Sequence, residues 1–269
     1  MHATSNDTTT RIGQSQATVI ADSICNGHRI TTLELLYPRY IHSELMTHRM
    51  FSRNASSSRA TPIEVLVQDA RCPVFFDQVL KNKPGMQGGV PLNDDEIQEF
   101  HKEWDSLANY VADWVKRMSE TYNIHKQTLN RALEPFTRIR VLVTATDWDN
   151  FFNLRTSNAA QPEMICLATA MRTAMGTSQP KTTTVHLPYI DVPRDFDIDS
   201  KVSVARCARV SYGRLDGRLD NVEDDIKLYD RLWQQRHLSP FEHVAVAEEG
   251  RFANYNGWKS LRFTAERVL

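Results

Sequence analysis

Residues 29–60 read RITTLELLYPRYIHSELMTHRMFSRNASSSRA, and this stretch decides the class of fold. RITTLELL is rich in β-branched and aliphatic residues and stops just before Pro38, which predicts a strand. RYIHSELMTHRMF then places Ile41, Leu45 and Met46 on one side of a helix. SRNASSSRAT is small and polar and reads as a loop, after which Pro62 is placed to open a second helix through IEVLVQDA. Strand and helix therefore alternate.

The same alternation continues outward. Asn93 followed by Glu96 predicts a capping box, and beyond it Ile97, Phe100, Trp104, Leu107, Val111, Trp114 and Met118 recur at spacings of three and four. That seam predicts a long helix whose aromatic stripe serves packing. IRVLVTAT from Ile139 reads as a strand, and Pro162 opens a helix through EMICLATAMRTAM. Residues 179–200, with Pro180, Pro188 and Pro193, read as a connection, after which SVARCARVSYG is strand-like. Val222, Ile226, Tyr229 and Trp233 mark an amphipathic helix, and SPFEHVAVAEE breaks and then extends. The polar residues 1–17 have no periodicity and are expected to form a mobile tail. The class is α+β: a single domain over residues 18–269, with a central β-sheet flanked by long helices.

Composition narrows the function. The 269 residues hold 32 Lys+Arg against 33 Asp+Glu, a net charge of −1, so a general nucleic-acid coat or a polybasic membrane binder does not fit. No apolar run approaches the length of a membrane helix, and the N-terminus lacks a signal-peptide pattern, so a cytoplasmic protein is expected. The four cysteines have no zinc-binding spacing and read as ordinary thiols, with no metal site expected. The fingerprints of Rossmann dehydrogenases, P-loop enzymes, α/β-hydrolases and zincins are all missing from the chain.

Four clusters concentrate polar chemistry in this neutral chain. Residues 47–60 combine His48, Arg49, Arg53 and Arg59 with Ser52, Ser56, Ser57 and Ser58. Guanidinium forks match phosphate oxygens in pairs, and hydroxyls and loop amides supply further donors. The same composition also suits a solvated loop of Ser-rich turns. A second cluster holds His125, Lys126, Asn130 and Arg131. A third, DNFFNLRTSNAAQPE, interleaves Asn150, Asn153, Arg155 and Gln161 with Phe151, Phe152 and Leu154, as in a half-buried binding site. The fourth, HLSPFEHV, carries His237, Ser239, Glu242 and His243.

Taken together, the clusters resemble the flavin-dependent thymidylate synthases. The family hallmark, Arg-His-Arg with a later Ser, Asn, Ser and Arg, is matched by Thr47, His48, Arg49, Ser52, Asn54, Ser57 and Arg59. A second signature is matched by Asn150, Leu154, Arg155, Ala160, Gln161 and Glu163. A third, Arg-x-Ala-Arg-Val-Ser with a downstream His-x-Thr-Pro-Phe-Glu-His, lies near the N-terminus in the family, whereas ARCARVSYG and HLSPFEHV follow residue 204 here. The resemblance thus implies a circularly permuted member.

It further implies reductive methylation of dUMP to dTMP, with FAD as cofactor and methylene-tetrahydrofolate and NADPH as co-substrates. No protein nucleophile is needed, because the flavin carries the hard chemistry. By matching position, His48, Arg49, Asn150, His237, Ser239 and Glu242 would contact FAD. Glu44, Ser57, Arg59, Arg131 and Arg155 would bind the nucleotide, Ser57 and Arg59 on its phosphate side, with Arg155 polarising the uracil and Ser57 counted with it as catalytic. The family also implies a homotetramer with active sites shared between chains; the near-neutral charge and short apolar runs argue for neither nucleic acid nor membrane as partner. Thr47 stands where the family has arginine, and Ala55 where many members have glutamate. Those departures keep two alternatives open: hydroxymethylation of dUMP or action on dCMP, and a nucleotide- or flavin-binding regulator without catalysis.

Overall fold

Asn26 and Gly27 both take positive φ, 48° and 81°, a tight reversal that Asn-Gly adopts with little strain. The turn folds β2 (Ser15–Cys25) back antiparallel on β3 (His28–Pro38). In this computed structural model, which describes residues 9–193, 195–212 and 221–268, that hairpin is the middle of the main sheet. β1 (Thr9–Ile12) pairs with β2, and β5 (Arg138–Ala145) lies between β3 and the edge strand β4 (Ser52–Ala55), giving the order β1-β2-β3-β5-β4. β6 (Lys181–Thr182) adds in parallel to the far end of β2. A second, antiparallel sheet runs β7 (Val185–His186), β8 (Ala245–Phe252), β9 (Tyr255–Ser260).

Alternation along β3 and β5 divides the core. Leu33, Leu35, Tyr37, Val141 and Val143 face α6 (Pro162–Thr177), whose Met164, Leu167, Ala168 and Met171 are fully buried against them. Each Leu, Val or Met among them contributes about 1.5–3 kcal/mol on burial. On the opposite face Leu142 meets Cys207 and Val210, at the end of α7 (Phe196–Arg209). α7 in turn packs on α8 (Val222–Gln234), and the fully buried Asp225 of α8 accepts from Arg206 Nε at 3.1 Å and Arg209 Nη2 at 2.7 Å. A third layer is made by α2 (Ile63–Ala70), α3 (Asp94–Tyr122) and α4 (Lys126–Leu133), joined through Leu66, Ala108, Ala112, Val115 and Leu129. α1 (His42–Met46) and α5 (Asp149–Arg155) are short, and α9 (Leu261–Val268) follows β9 directly. Among the described residues, no helix is long and apolar enough to cross a membrane.

The capping box is present in full, with Asn93 accepting from the Glu96 amide and Glu96 from the Asn93 amide, both at 2.9 Å. Five expectations are corrected. Residues 9–17 are not a mobile tail: they supply β1 and the start of β2, paired Thr9↔Thr18 through Ile12↔Ser15, while residues 1–8 lie outside the described residues. The helix expected over residues 39–51 is only a 3₁₀ turn at Arg39–Ile41 followed by α1. Its loop successor contains β4, because Ser52–Ala55 finds the free edge of β5. SVARCARVSYG is mostly helix rather than strand: Asp195 caps α7 by accepting from the Asp197 and Ile198 amides, and small residues such as Ser203, Ala205 and Ala208 let it lie close to its neighbours. The segment 179–200 accordingly includes β6, β7 and the first turn of α7 rather than connection alone.

Candidate active site

β4 organises the chemistry. At its N-terminal end the chain leaves α1, turns through Thr47–Met50 and enters the strand at Phe51, which is buried against Trp148 and Phe151. Arg155, the last residue of α5, reaches across to this turn: Nε donates to His48 Nε2 at 2.8 Å, Nη1 to Glu44 Oε2 at 3.3 Å and Nη2 to Thr47 Oγ1 at 3.2 Å. Since a guanidinium only donates, His48 Nε2 must accept, so the ring is neutral with its proton on Nδ1. Burial, then the charges of Arg155 and Arg53, pull the His48 pKa below its ordinary value and favour that state. The ring stands edge-on to Phe151 at 4.8 Å.

Beside this corner opens a cavity of about 540 Å³ lined by His48, Arg49, Trp148, Asn150, Phe152 and Met175, with Arg29 and Arg172 among its other walls. Arg29 is held by Asp22 and by the Met175 carbonyl at 2.8 Å. Arg49 is exposed and Arg172, among the described residues, makes a long 3.5 Å contact with Thr156, so both can turn toward a ligand. Trp148 and Phe152, stacked at 6.0 Å, give an apolar wall, and the arginines give cations for an anionic group. A planar ring system carrying a phosphate-type anion fits that donor set, as a flavin dinucleotide requires. Sequence reasoning did not single out Arg29, Trp148, Arg172 or Met175, because they come from separate elements that only the fold brings together.

At the C-terminal end of β4 the loop of residues 56–61 is fastened to α4. Asn130 donates to the carbonyls of Ser58 (2.7 Å) and Thr61 (3.0 Å), Lys126 to that of Ala60 (2.8 Å), and Ser58 Oγ to Glu134 Oε1 (2.6 Å). Arg131 pairs with the same Glu134 oxygen at 2.8 Å. The Ser57 amide donates to Ser211 O at 3.0 Å, and Arg59 is exposed. The predicted nucleotide residues Ser57, Arg59 and Arg131 thus share one neighbourhood, while Glu44 and Arg155 sit at the opposite end of the strand.

The third group, at the 3₁₀ turn Ser239–His243, packs along β4. Ser239 Oγ donates to Arg53 O at 3.3 Å, and Glu242 Oε1 accepts from Arg262 Nη1 of α9 at 2.6 Å. Burial raises the Glu242 pKa, opposed by Arg262 and a hydrogen bond from Ser52. His237 is exposed, and none of these three lines the cavity. Behind the turn runs a buried chain: His243 Nδ1 to Thr144 Oγ1 (2.8 Å), Thr144 to Thr32 (2.6 Å), Thr32 to His186 Nε2 (2.7 Å) and His186 Nδ1 to Ser23 Oγ (2.9 Å). Burial pushes the pKa of both histidines down to about 3, so both are neutral; His243 binds the turn, and His186 binds β7, to the main sheet.

A family model described as thymidylate synthase complementing protein matches residues 23–181. No curated protein sequence matches the chain. Among solved structures, the UMP/dUMP methylase PolB from Streptomyces cacaoi bound with 5-Br UMP is 21% identical, over 56% of this chain and 70% of that one, with a TM-score of 0.46. Thymidylate Synthase X from Helicobacter pylori with FAD and dUMP is 20% identical over 54% and 67%, with a TM-score of 0.38.

Proposed function

The chain belongs to the thymidylate synthase complementing protein family, whose model spans more than half of its 269 residues, and from that premise we propose that it methylates dUMP to dTMP with FAD, NADPH and methylene-tetrahydrofolate. The observation that carries this reading is the Arg155 fork over Glu44, Thr47 and His48 beside the aromatic, arginine-lined cavity. It joins two of the sequence signatures in one corner.

When bound, FAD supplies the hydride chemistry that no side chain here provides. Trp148 and Phe152 offer its rings an apolar wall, His48 and Asn150 offer polar contacts, and Arg49 and Arg172 turn toward its pyrophosphate. Arg155 is the group that stabilises charge on the pyrimidine oxygen; His48 and Thr47 still hold it once the pyrimidine has taken the place of Glu44, so it stays aimed as that charge develops. Glu44, at the longest of the three contacts, is the partner the pyrimidine displaces. Ser57, Arg59 and Arg131 bind the phosphate side of the nucleotide.

Ser239, Glu242 and His237 lie away from the cavity within one chain, which supports a homotetramer in which copies complete each site. The position of ARCARVSYG and HLSPFEHV against β4, through Asn54 Nδ2 to Cys207 O (2.7 Å), Ser211 Oγ to Asn54 Oδ1 (2.8 Å) and Ser239 Oγ to Arg53 O (3.3 Å), supports a circular permutation. A second reading rests on Thr47: a short hydroxyl closes the fork where the family has arginine. That alters the pyrimidine pocket and favours dCMP, or a hydroxymethyl product, as the alternative. Oxidation of NADPH by the purified chain with FAD and methylene-tetrahydrofolate tests the proposal. Dependence on dUMP supports it; dependence on dCMP, or a hydroxymethylated nucleotide formed without NADPH oxidation, supports the second reading; unmodified nucleotides with no NADPH oxidised contradict both.

A further inference from the structure

Arg39 begins the 3₁₀ turn after β3, its amide fixed by Thr137 O at 3.0 Å. Its guanidinium reaches the carbonyls of Ser56 and Arg138, both at the long distance of 3.5 Å, and its Nε is shut off from solvent with no hydrogen-bond partner. Among the described residues, none of the ion pairs includes Arg39. The two carboxylates whose charges reach it are occupied: Glu134 Oε1 accepts from Ser58 Oγ and Arg131, and Asp69 Oδ2 from the Arg138 amide at 3.3 Å.

Taking a guanidinium out of water without a counter-anion is costly, and an orphaned N–H adds to the cost. Burial is the largest influence pulling the Arg39 pKa down, and the charge of Arg131 pulls the same way. A side chain held in this state is short of one anion, and it adjoins Ser56, at the start of the loop that carries Ser57 and Arg59.

We propose that Arg39 is an additional anion-binding residue of the loop at residues 56–61, and that its ligand is the phosphate monoester of the pyrimidine nucleotide. The assignment rests on the functional reading above for the identity of the nucleotide, but not for the need of an anion. Arg39 then faces the phosphate from the sheet side while Arg131 and Arg59 approach from α4 and the loop. A guanidinium presents two N–H groups to two phosphate oxygens, which a lysine would not.

The test compares wild type with Arg39→Met, which keeps the stem and removes the charge, using dUMP, deoxyuridine and inorganic phosphate in calorimetric titrations and thermal melts. The expected result is a ligand-free Tm equal to or above wild type, dUMP binding weaker by about 10- to 100-fold, and deoxyuridine binding within about twofold. Unchanged dUMP affinity, or nucleotide and nucleoside weakened together with a lowered ligand-free Tm, overturns the assignment. If wild type binds neither dUMP nor deoxyuridine, the functional reading has failed and phosphate alone decides: a Tm rise in wild type that Arg39→Met lacks supports Arg39, and any other pattern overturns it. Should the Met variant not fold, Arg39→Lys serves. Weaker dUMP with unchanged deoxyuridine supports the role, and unchanged dUMP or a shared loss overturns it.

Discussion

At one end of β4, Arg155 spreads its guanidinium over Glu44, Thr47 and His48; at the other, Arg39 meets only two carbonyls at 3.5 Å. Both arginines are partly buried, and both adjoin residues that the sequence marked for ligand binding. The first has acceptors for all three of its nitrogens in the free protein, so its geometry is set before a substrate arrives. The second has a nitrogen without a partner and nearby carboxylates already engaged, so its balance awaits an anion. Four residues of strand separate a corner whose guanidinium is engaged at every nitrogen from one whose guanidinium is not.

The comparison breaks most severely at Arg155. Arg155→Ala should lower turnover by about 10²- to 10³-fold while FAD affinity stays within about threefold, as for removal of a charge-stabilising donor. Steady-state kinetics with a flavin titration checks this, and equal loss of both would place Arg155 in flavin binding instead. Next in size, Arg131→Ala should weaken dUMP by more than the roughly tenfold of one charge-assisted contact, because it also frees Glu134 to neutralise Arg39. Titration with dUMP against deoxyuridine reads the loss, and a smaller deficit would separate Arg39 from Arg131.

Acid sharpens the contrast. His48 has a lowered pKa in the fold, so the stability given by its neutral form is present above its ordinary pKa of about 6.5 and is lost as pH falls toward the folded value. The thermal stability of the chain should therefore fall on acidification through that window, and His48→Gln should remove that step from a profile of Tm against pH, while sulfate binding at the arginines of the loop persists. The smallest effect is expected away from both ends. Lys116 and Glu120, exposed on α3 and 3.9 Å apart, form a surface pair, and Lys116→Ala should change stability by less than about 0.5 kcal/mol in a denaturant titration.

Much of the frame was legible where local chemistry and tertiary demand agree. RITTLELL became β3, the Asn93–Glu96 box opens α3, and Pro62 and Pro162 precede or begin helices. Where the two disagree, the sequence misled. Residues 9–17 are polar, yet the hairpin carries β2 past them and gives β1 an edge to pair with. The Val-rich stretch around 202–210 resembles a strand only because α7 is enclosed on most sides and so lacks a polar face. The Asn26-Gly27 reversal was readable from its dipeptide but was not singled out. At the site, Glu44, Thr47, His48 and Arg155 are drawn together from segments more than a hundred residues apart. Residue type identified those groups. Trp148, Arg172 and Arg262 carry no motif, and only packing reveals what they touch.

The mass of the nucleotide formed when the purified chain meets FAD, NADPH, methylene-tetrahydrofolate and a mixture of dUMP and dCMP tests the central claim most directly. The account predicts methylated dUMP, formed by wild type and greatly reduced in Arg155→Ala. Nucleotides recovered unchanged from wild type, with FAD bound, would contradict it.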